Sequence, residues 1–266
     1  TFFNDTAIAP HGVKLMGNWQ FLHDASEPIN KSTGYVSPGH CSVHRDATTG
    51  RYSLVFHTRF VGLGELHEVR VHQLYLNADG WFVAAPQRYA GETLGAVSTD
   101  QIPGNFKLIN HGKDISATVK TSTVIALDAN GVVSGSATGT WQLSGGNNAT
   151  LTLGGMEYKG VFSRQWDDDN QVWTLCFSAL SADGTAIWGT RIVPGNQAAQ
   201  NVASGRSVSF TAEAGATGIQ WQVFTSGAWQ NLSNDATYSG VNTGTLTISN
   251  ASTAVNGSAT GSCSTR

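Results

Sequence analysis

Ser37-Pro38-Gly39-His40-Cys41-Ser42, followed by Phe56-His57-Thr58-Arg59-Phe60 and His67-Glu68-Val69-Arg70-Val71-His72-Gln73, places four histidines and two arginines in runs that otherwise read as strands. Imidazole and guanidinium groups in such positions need polar partners or a wet cavity, because burying them unpaired carries a desolvation cost. The strands themselves are short and rich in Val, Leu, Phe and Tyr, over 41–45, 52–60, 68–76 and 81–84. Turn signals separate them at Asp46-Ala47-Thr48-Thr49-Gly50, Gly62-Leu63-Gly64 and Asn77-Ala78-Asp79-Gly80.

Four strands joined by tight turns make a meander. A meander of this kind is the repeating blade of a β-propeller, whose first strand lies nearest the central channel, so His40 is expected to open that innermost strand. A histidine on a strand is more often a satisfied structural residue, the reading that suits His44, His67 and His72. The odd separation of His67 and His72 also sends them to opposite faces of an unbroken strand. For His40 both readings stay open on pattern alone.

Several ordered blocks share one family resemblance: Pro10-His11-Gly12-Val13-Lys14-Leu15-Met16-Gly17-Asn18, Tyr35 to His40, His57 to Phe60, His67 to Gln73, Gly80-Trp81, Ala85-Pro86 and Arg88-Tyr89. Together they resemble the C-terminal part of the extracellular arabinanases of glycoside hydrolase family 43. The resemblance implies a five-bladed propeller that hydrolyses α-1,5-linked arabinan with inversion. Inversion requires two carboxyl groups about 6.5–9.5 Å apart, one to protonate the leaving oxygen and one to activate water. In the family these groups and a third, tuning carboxylate belong to earlier blades, so this chain is expected to begin after them. Asp5, Asp24, Glu27, Asp46, Glu65, Glu68, Asp79 and Glu92 match none of those motif positions, and no catalytic carboxylate is assigned. Asp46 and Asp79 are expected to cap their own turns.

The same resemblance implies that His40 contacts a calcium ion otherwise surrounded largely by water. Calcium ordinarily takes six to eight oxygen ligands. Cys41 stands where the family motif has Asn, which removes an amide from the surroundings and supplies a poor ligand for a hard cation. Arg59 and Arg70 are expected to pair with Glu68 or with backbone carbonyls, with sugar recognition as the alternative, and His57 to support the channel. Trp19 and Phe21 read as core more readily than as sugar platforms.

Across its 266 residues the chain has a formal net charge of -3, 12% charged residues and 31 glycines, a balance that favours strands and turns. No basic surplus points to nucleic acid, and no apolar run is long enough to span a membrane. Cys41, Cys176 and Cys263 are too widely spaced for a metal motif or a disulfide framework. The composition agrees with a secreted all-β protein, expected to be a monomer, and the family resemblance implies that it acts on arabinan or a related plant cell-wall polysaccharide. The chain shows neither a starting methionine nor a signal peptide, which for a secreted family suggests a missing N-terminal portion.

The expected fold class is all-β, in three parts: the last part of a five-bladed propeller over 1–92, an antiparallel barrel or sandwich over 93–193, and a partial immunoglobulin-like sandwich over 197–266. In the middle part, segments at 116–121, 123–127, 132–141, 149–153, 156–164, 172–179 and 186–193 alternate between turn signals. Met156-Glu157-Tyr158-Lys159-Gly160-Val161, Phe177-Ser178-Ala179-Leu180 and Ile187-Trp188-Gly189 resemble the barrel that follows the propeller in larger arabinanases. Asp167-Asp168-Asp169-Asn170 reads as a hairpin turn, since it lacks the glycine and distal glutamate of a calcium loop. Pro194-Gly195-Asn196 marks the next boundary. Beyond it Trp221 is expected as a core tryptophan, with Phe210 on an early strand and no convincing closing strands before Arg266. A non-catalytic carbohydrate-binding or adhesion protein remains the alternative, to be separated from the enzyme by whether an acidic propeller segment lies upstream.

Overall fold

In the computed structural model the described residues are 12–194, 202–212, 218–225, 228–252 and 259–263. Pro10, His11 and Asp5 lie outside them, as do Gly195, Asn196 and Arg266. By their contacts the residues divide into two compact units, one of 1–25, 29–169 and 173–192, the other of 26–28, 170–172 and 193–266.

The first unit holds a six-stranded sheet and a closed barrel. The sheet comprises β1 (Trp19–Gln20), β2 (Gly34–Arg45), β3 (Tyr52–Phe60), β4 (Glu68–Leu76), β5 (Phe82–Ala84) and a later strand, β7 (Lys120–Thr121), in the order β5-β4-β3-β2-β1-β7. Its four-stranded meander matches the reading from sequence, with one correction. β2 begins at Gly34, so His40 lies in mid-strand rather than opening it. Pro38 and Gly39 look like a break because proline cannot donate to a ladder and glycine resists confinement. The strand instead absorbs them as two register shifts, between Val36 and Gly39 and between Gly39 and Ser42.

Alternation then decides which face is buried. On β3, Leu54, Phe56, Thr58 and Phe60 are buried while Ser53, Val55, His57 and Arg59 are only partly covered. The buried face meets Ile109 and Trp188 of the barrel in one apolar cluster with Trp19, Phe21, Tyr35, Leu74 and Ala84. Trp19 and Phe21 are therefore core, as the bland reading holds.

The barrel closes in the order β10-β11-β12-β13-β14-β6-β8-β9. Its strands are β6 (Gly104–Asn110), β8 (Thr123–Leu127), β9 (Val132–Gly135), β10 (Gly139–Leu143), β11 (Asn148–Leu153), β12 (Met156–Asp167), β13 (Val172–Ser181) and β14 (Ala186–Arg191). Eight strands leave an interior just wide enough for side chains, and here Phe106, Trp141, Leu151, Phe162, Phe177 and Ile187 fill it. Several expectations change. The segment at 116–121 contributes only β7, which joins the first sheet parallel to β1. The run at 132–141 is two strands, interrupted at Gly135, whose φ is 103°. β6 carries no flanking alternation signal, yet Phe106 and Ile109 on it are fully buried.

The second unit contains two three-stranded sheets. One is β15 (Val208–Thr211), β19 (Thr245–Ile248) and β18 (Tyr238–Ser239); the other is β17 (Ala228–Asn231), β16 (Gln220–Thr225) and β20 (Ala259–Cys263). Trp221 is 3% exposed and packs with Leu232, Val241, Leu246 and Ile248. Its indole N–H donates to the Thr243 carbonyl at 2.8 Å. β20 supplies a strand absent from the sequence reading, paired antiparallel to β16.

Candidate functional site

His40 and Ser37 both have positive φ, 47° and 51°, a region that non-glycine residues enter at a cost. Two bulges around Gly39 create these conformations and re-aim the side chains. Polar neighbours hold the bulged segment: the Ser37 amide donates to Asn18 Oδ1 at 2.7 Å, and Arg59 donates to Ser37 Oγ at 3.0 Å and to Glu65 at 2.6 Å. Arg59 thus pairs with Glu65, while Glu68 pairs with Arg70 at 2.6 Å.

The His40 side chain is exposed. Its ring lies 4.9 Å from that of His57, which in turn lies 5.4 Å from that of His67. Cys41 beside it is an exposed free thiol. Among the described residues no group of three or more His, Cys, Asp or Glu side chains is placed to hold a metal ion. An imidazole row beside a thiol is the wrong donor chemistry for calcium, which wants oxygen, so the residues present do not by themselves fit that ion.

On the other side of the sheet, a cleft of about 210 Å³ lies between the blade-like sheet and the barrel. Arg70 sits 4.7 Å from the Phe60 ring centroid and 6.0 Å from that of Tyr35, a cation stacked on aromatic faces. Arg88 pairs with Asp168 at 2.8 Å and Lys31 with Asp169 at 3.0 Å. Of the run Asp167–Asn170, Asp167 ends β12 and the other three form the expected turn, while the Asp168 and Asp169 carboxylates also tie down cations from remote parts of the chain. Burial alone raises the Asp168 pKa, and the Arg88 hydrogen bond and charge outweigh it, leaving a net depression. Burial also pushes the Tyr35 hydroxyl up to about 12. A general acid needs the opposite, a carboxyl pKa raised towards neutrality. Among the described carboxylates with a displaced pKa only Glu92 is raised, by burial, and it is 5% exposed. Asp168 in the cleft therefore lacks the raised pKa that a general acid needs.

The remaining candidates resolve into structural roles. His72 is fully buried, with Nδ1–H donating to the Ala85 carbonyl at 2.7 Å and Nε2 accepting from the Tyr35 hydroxyl at 3.2 Å. His44 is exposed opposite Ser53. Asp46 caps its turn by accepting from the amides of Thr48 and Thr49. Asp79 does not cap its own: Asn77 Oδ1 accepts from the amides of Asp79 and Trp81, and the Asp79 carboxylate pairs with Lys159 at 2.8 Å. Sequence reasoning missed the Arg88–Asp168 pair, because a contact across eighty residues leaves no local signal.

Comparison with known proteins bears on the same region. Residues 86–189 match the GH43_C family, described as a C-terminal lipocalin-like domain. The chain is 54% identical over 191 residues to extracellular endo-alpha-(1->5)-L-arabinanase 2 of Bacillus subtilis (strain 168), covering 72% of this chain and 40% of that protein. It is 41% identical over 197 residues to the extracellular endo-alpha-(1->5)-L-arabinanase of Thermotoga petrophila, covering 70% of this chain and 40% of the relative. Among solved structures, the glycoside hydrolase family 43 YxiA protein from Bacillus licheniformis superposes with a TM-score of 0.64 at 49% identity, over 68% of this chain and 39% of that one. The endo-1,5-alpha-L-arabinanase of Thermotoga petrophila RKU-1 gives a TM-score of 0.64 at 42% identity, over 68% and 41% of the two chains. The chain thus spans about 40% of the length of the curated relatives it matches. A closed eight-stranded barrel occupies most of the residues that match this C-terminal lipocalin-like family, and the sequence identity to the arabinanases extends well beyond them.

Proposed function

We propose that the chain is the C-terminal part of a secreted, monomeric arabinan hydrolase that cleaves α-1,5-linked arabinan with inversion. The observation that carries this reading is the 54% identity over 191 residues to an extracellular endo-arabinanase. In this reading the four-stranded meander is the last blade of a propeller, and the acid and base carboxylates stand on blades upstream. The cleft carboxylate Asp168 is held by Arg88 in the ionised form, which suits a structural ion pair and not proton donation. His40 would approach the reacting region from the bulged strand; a calcium ion there needs its oxygen ligands from water or upstream groups, and no chemical step is routed through it. The second unit is an immunoglobulin-like spacer.

The test compares the chain alone with a longer form that restores an upstream propeller segment, using debranched arabinan and a reducing-end assay. The chain alone should release nothing. The longer form should release oligosaccharides whose first-formed anomer, read by proton NMR, is inverted relative to the substrate bond. His40→Ala in that form should lower the rate at least tenfold. Hydrolysis by the short chain, or equal rates for His40→Ala and its parent, would refute the assignment.

A further inference from the structure

Trp81 is 60% exposed, while every other tryptophan whose burial is described is buried or half-buried. A large amphipathic ring left in water at the edge of a groove is suited to stacking on a ligand's apolar face. Its mounting is rigid. Trp81 stands at the end of the turn between β4 and β5, where Gly80 takes a φ of 78° and Asn77 exchanges backbone hydrogen bonds with Trp81 and Gly80 at 2.9 Å each. Asn77 Oδ1 also accepts from the Trp81 amide at 2.9 Å, and Asn77 Nδ2 donates to the Lys159 carbonyl on β12 at 3.1 Å. The Lys159–Asp79 pair adds a second tie to the barrel.

Opposite the indole lies the turn between β13 and β14, and the two turns enclose a groove of about 300 Å³. Leu180 and Val13 give it apolar surface, and Asp79, Asp183 and Ser181 give it polar atoms. The Asp183 carboxylate is locked by Ser181 Oγ and by Lys113 at 2.9 Å, and those hydrogen bonds hold its pKa far below the usual carboxylate range. Both carboxylates are half-exposed, with side-chain exposures of 48% for Asp79 and 42% for Asp183, so each keeps acceptor capacity towards the groove. Among the described residues lining it, these two acids carry charge, and each is paired with a lysine.

From this arrangement we infer that the groove is a binding site for a neutral polysaccharide chain, with Trp81 as the stacking platform and Asp79 and Asp183 as acceptors for sugar hydroxyls. A sugar ring offers an apolar C–H face to the indole and hydroxyl donors at its edge. With each acid already paired to a lysine, the described residues of the groove offer no unpaired positive charge to hold a uronic acid, which favours neutral chains over acidic pectic ones. A platform whose backbone is already tied to the barrel loses less freedom on binding than one on a loose loop. The neutral class follows from the groove; the choice of arabinan within that class rests on the proposed function above.

The experiment is affinity electrophoresis of the 266-residue chain in native gels that contain debranched arabinan, xylan, galactan or polygalacturonate. The parent should be retarded by arabinan and not by polygalacturonate. Trp81→Ala should weaken the retardation about tenfold, the 1.4 kcal/mol equivalent of a lost stacking contact, while Trp81→Tyr keeps most of it. Because Trp81 is exposed, circular dichroism of Trp81→Ala should match the parent. Equal retardation of Trp81→Ala and parent, or no retardation by any neutral polysaccharide, overturns the groove as a binding site, whatever the longer enzyme does to arabinan. Retardation through Trp81 by xylan or galactan but not by arabinan keeps the site and overturns its assignment to arabinan.

Discussion

Acid should loosen the first unit before its hydrogen-bonded carboxylates Asp114 and Asp183 titrate, because two neutral histidines are buried around Trp188. His72 stacks on one side of that indole, with ring centroids 6.1 Å apart, and His111 meets it edge-on at 4.3 Å. Burial drives the His72 pKa down to about 4; Arg70 and Arg88 deepen the shift, while its hydrogen bond to the Ala85 carbonyl opposes it. Burial, with Lys14 nearby, drives His111 down to about 3. The hydrogen bonds agree with neutral rings. His72 Nε2 accepts from Tyr35, and His111 Nδ1 accepts from the Gly17 amide at 3.3 Å, so a proton on either acceptor displaces a donor.

The sign follows from linkage. Both folded-state values lie below the unfolded value of about 6.5, so between the two the unfolded chain binds more protons and stability falls as pH falls. At pH 7.5 neither histidine costs anything. At pH 5 each contributes a loss of about 1.5 pKa units, or ~2 kcal/mol, and together ~4 kcal/mol. That is a large share of the roughly 5–15 kcal/mol that stabilises a typical domain. Urea unfolding at the two pH values, followed by near-ultraviolet circular dichroism of the aromatic cluster, reads the difference. His111→Gln keeps the amide acceptor for Gly17 but cannot charge, so about half of the pH effect should vanish. An undiminished pH dependence in His111→Gln and in His72→Gln would refute the reasoning, since the carboxylates depressed by hydrogen bonds, Asp114 and Asp183, titrate only at lower pH.

Gly160→Ala should destabilise the barrel by about 3 kcal/mol or more, because a Cβ there would lie 1.9 Å from the Ser178 carbonyl oxygen, a backbone atom that cannot step aside. A thermal shift of several degrees checks it; an unchanged melting temperature would contradict the close β12–β13 approach. At the bulge the direction reverses: His40→Gly should stabilise the chain by about 1 kcal/mol by relieving the positive φ, whereas His40→Ala should not. Urea midpoints for the two variants separate backbone strain from side-chain loss, and a glycine variant no more stable than the parent would show that the left-handed conformation costs nothing.

The parts of the structure legible in the sequence are those where burial alternates locally. Tyr52–Phe60 and Glu68–Leu76 read correctly to the residue because turn signals bound both, and in Tyr52–Phe60 a two-residue period of burial agrees with them. The bulged strand was legible only in its second half, since Pro38-Gly39 mimics a terminator and nothing in the string says that two register shifts will absorb it. Lys120–Thr121 was misplaced for a different reason. Its partner is Trp19–Gln20, about a hundred residues away, and two residues carry no period at all. Phe106 and Ile109 on β6 went unread because a strand buried on both sides shows a run of apolar residues rather than alternation, and Lys107, itself buried, interrupts the run.

The same logic explains why His72 and His40, both expected on strands, came out so differently. His72 stands on β4 opposite Leu54, on the face that meets the barrel, and the barrel brings Trp188 to its ring. His40 stands where the bulges turn the backbone, at a point of β2 where the register no longer assigns it a buried neighbour. The barrel therefore determines which polar residues of the blade-like sheet become structural. Facing it, His72 acquires hydrogen-bond partners and stays neutral, while Arg70 and Glu68 pair with each other; on the other face His40 stays exposed to water. A packed barrel interior fits this role: with Phe106, Phe162 and Phe177 filling its centre, the barrel is a solid wall against which one face of the sheet is fixed.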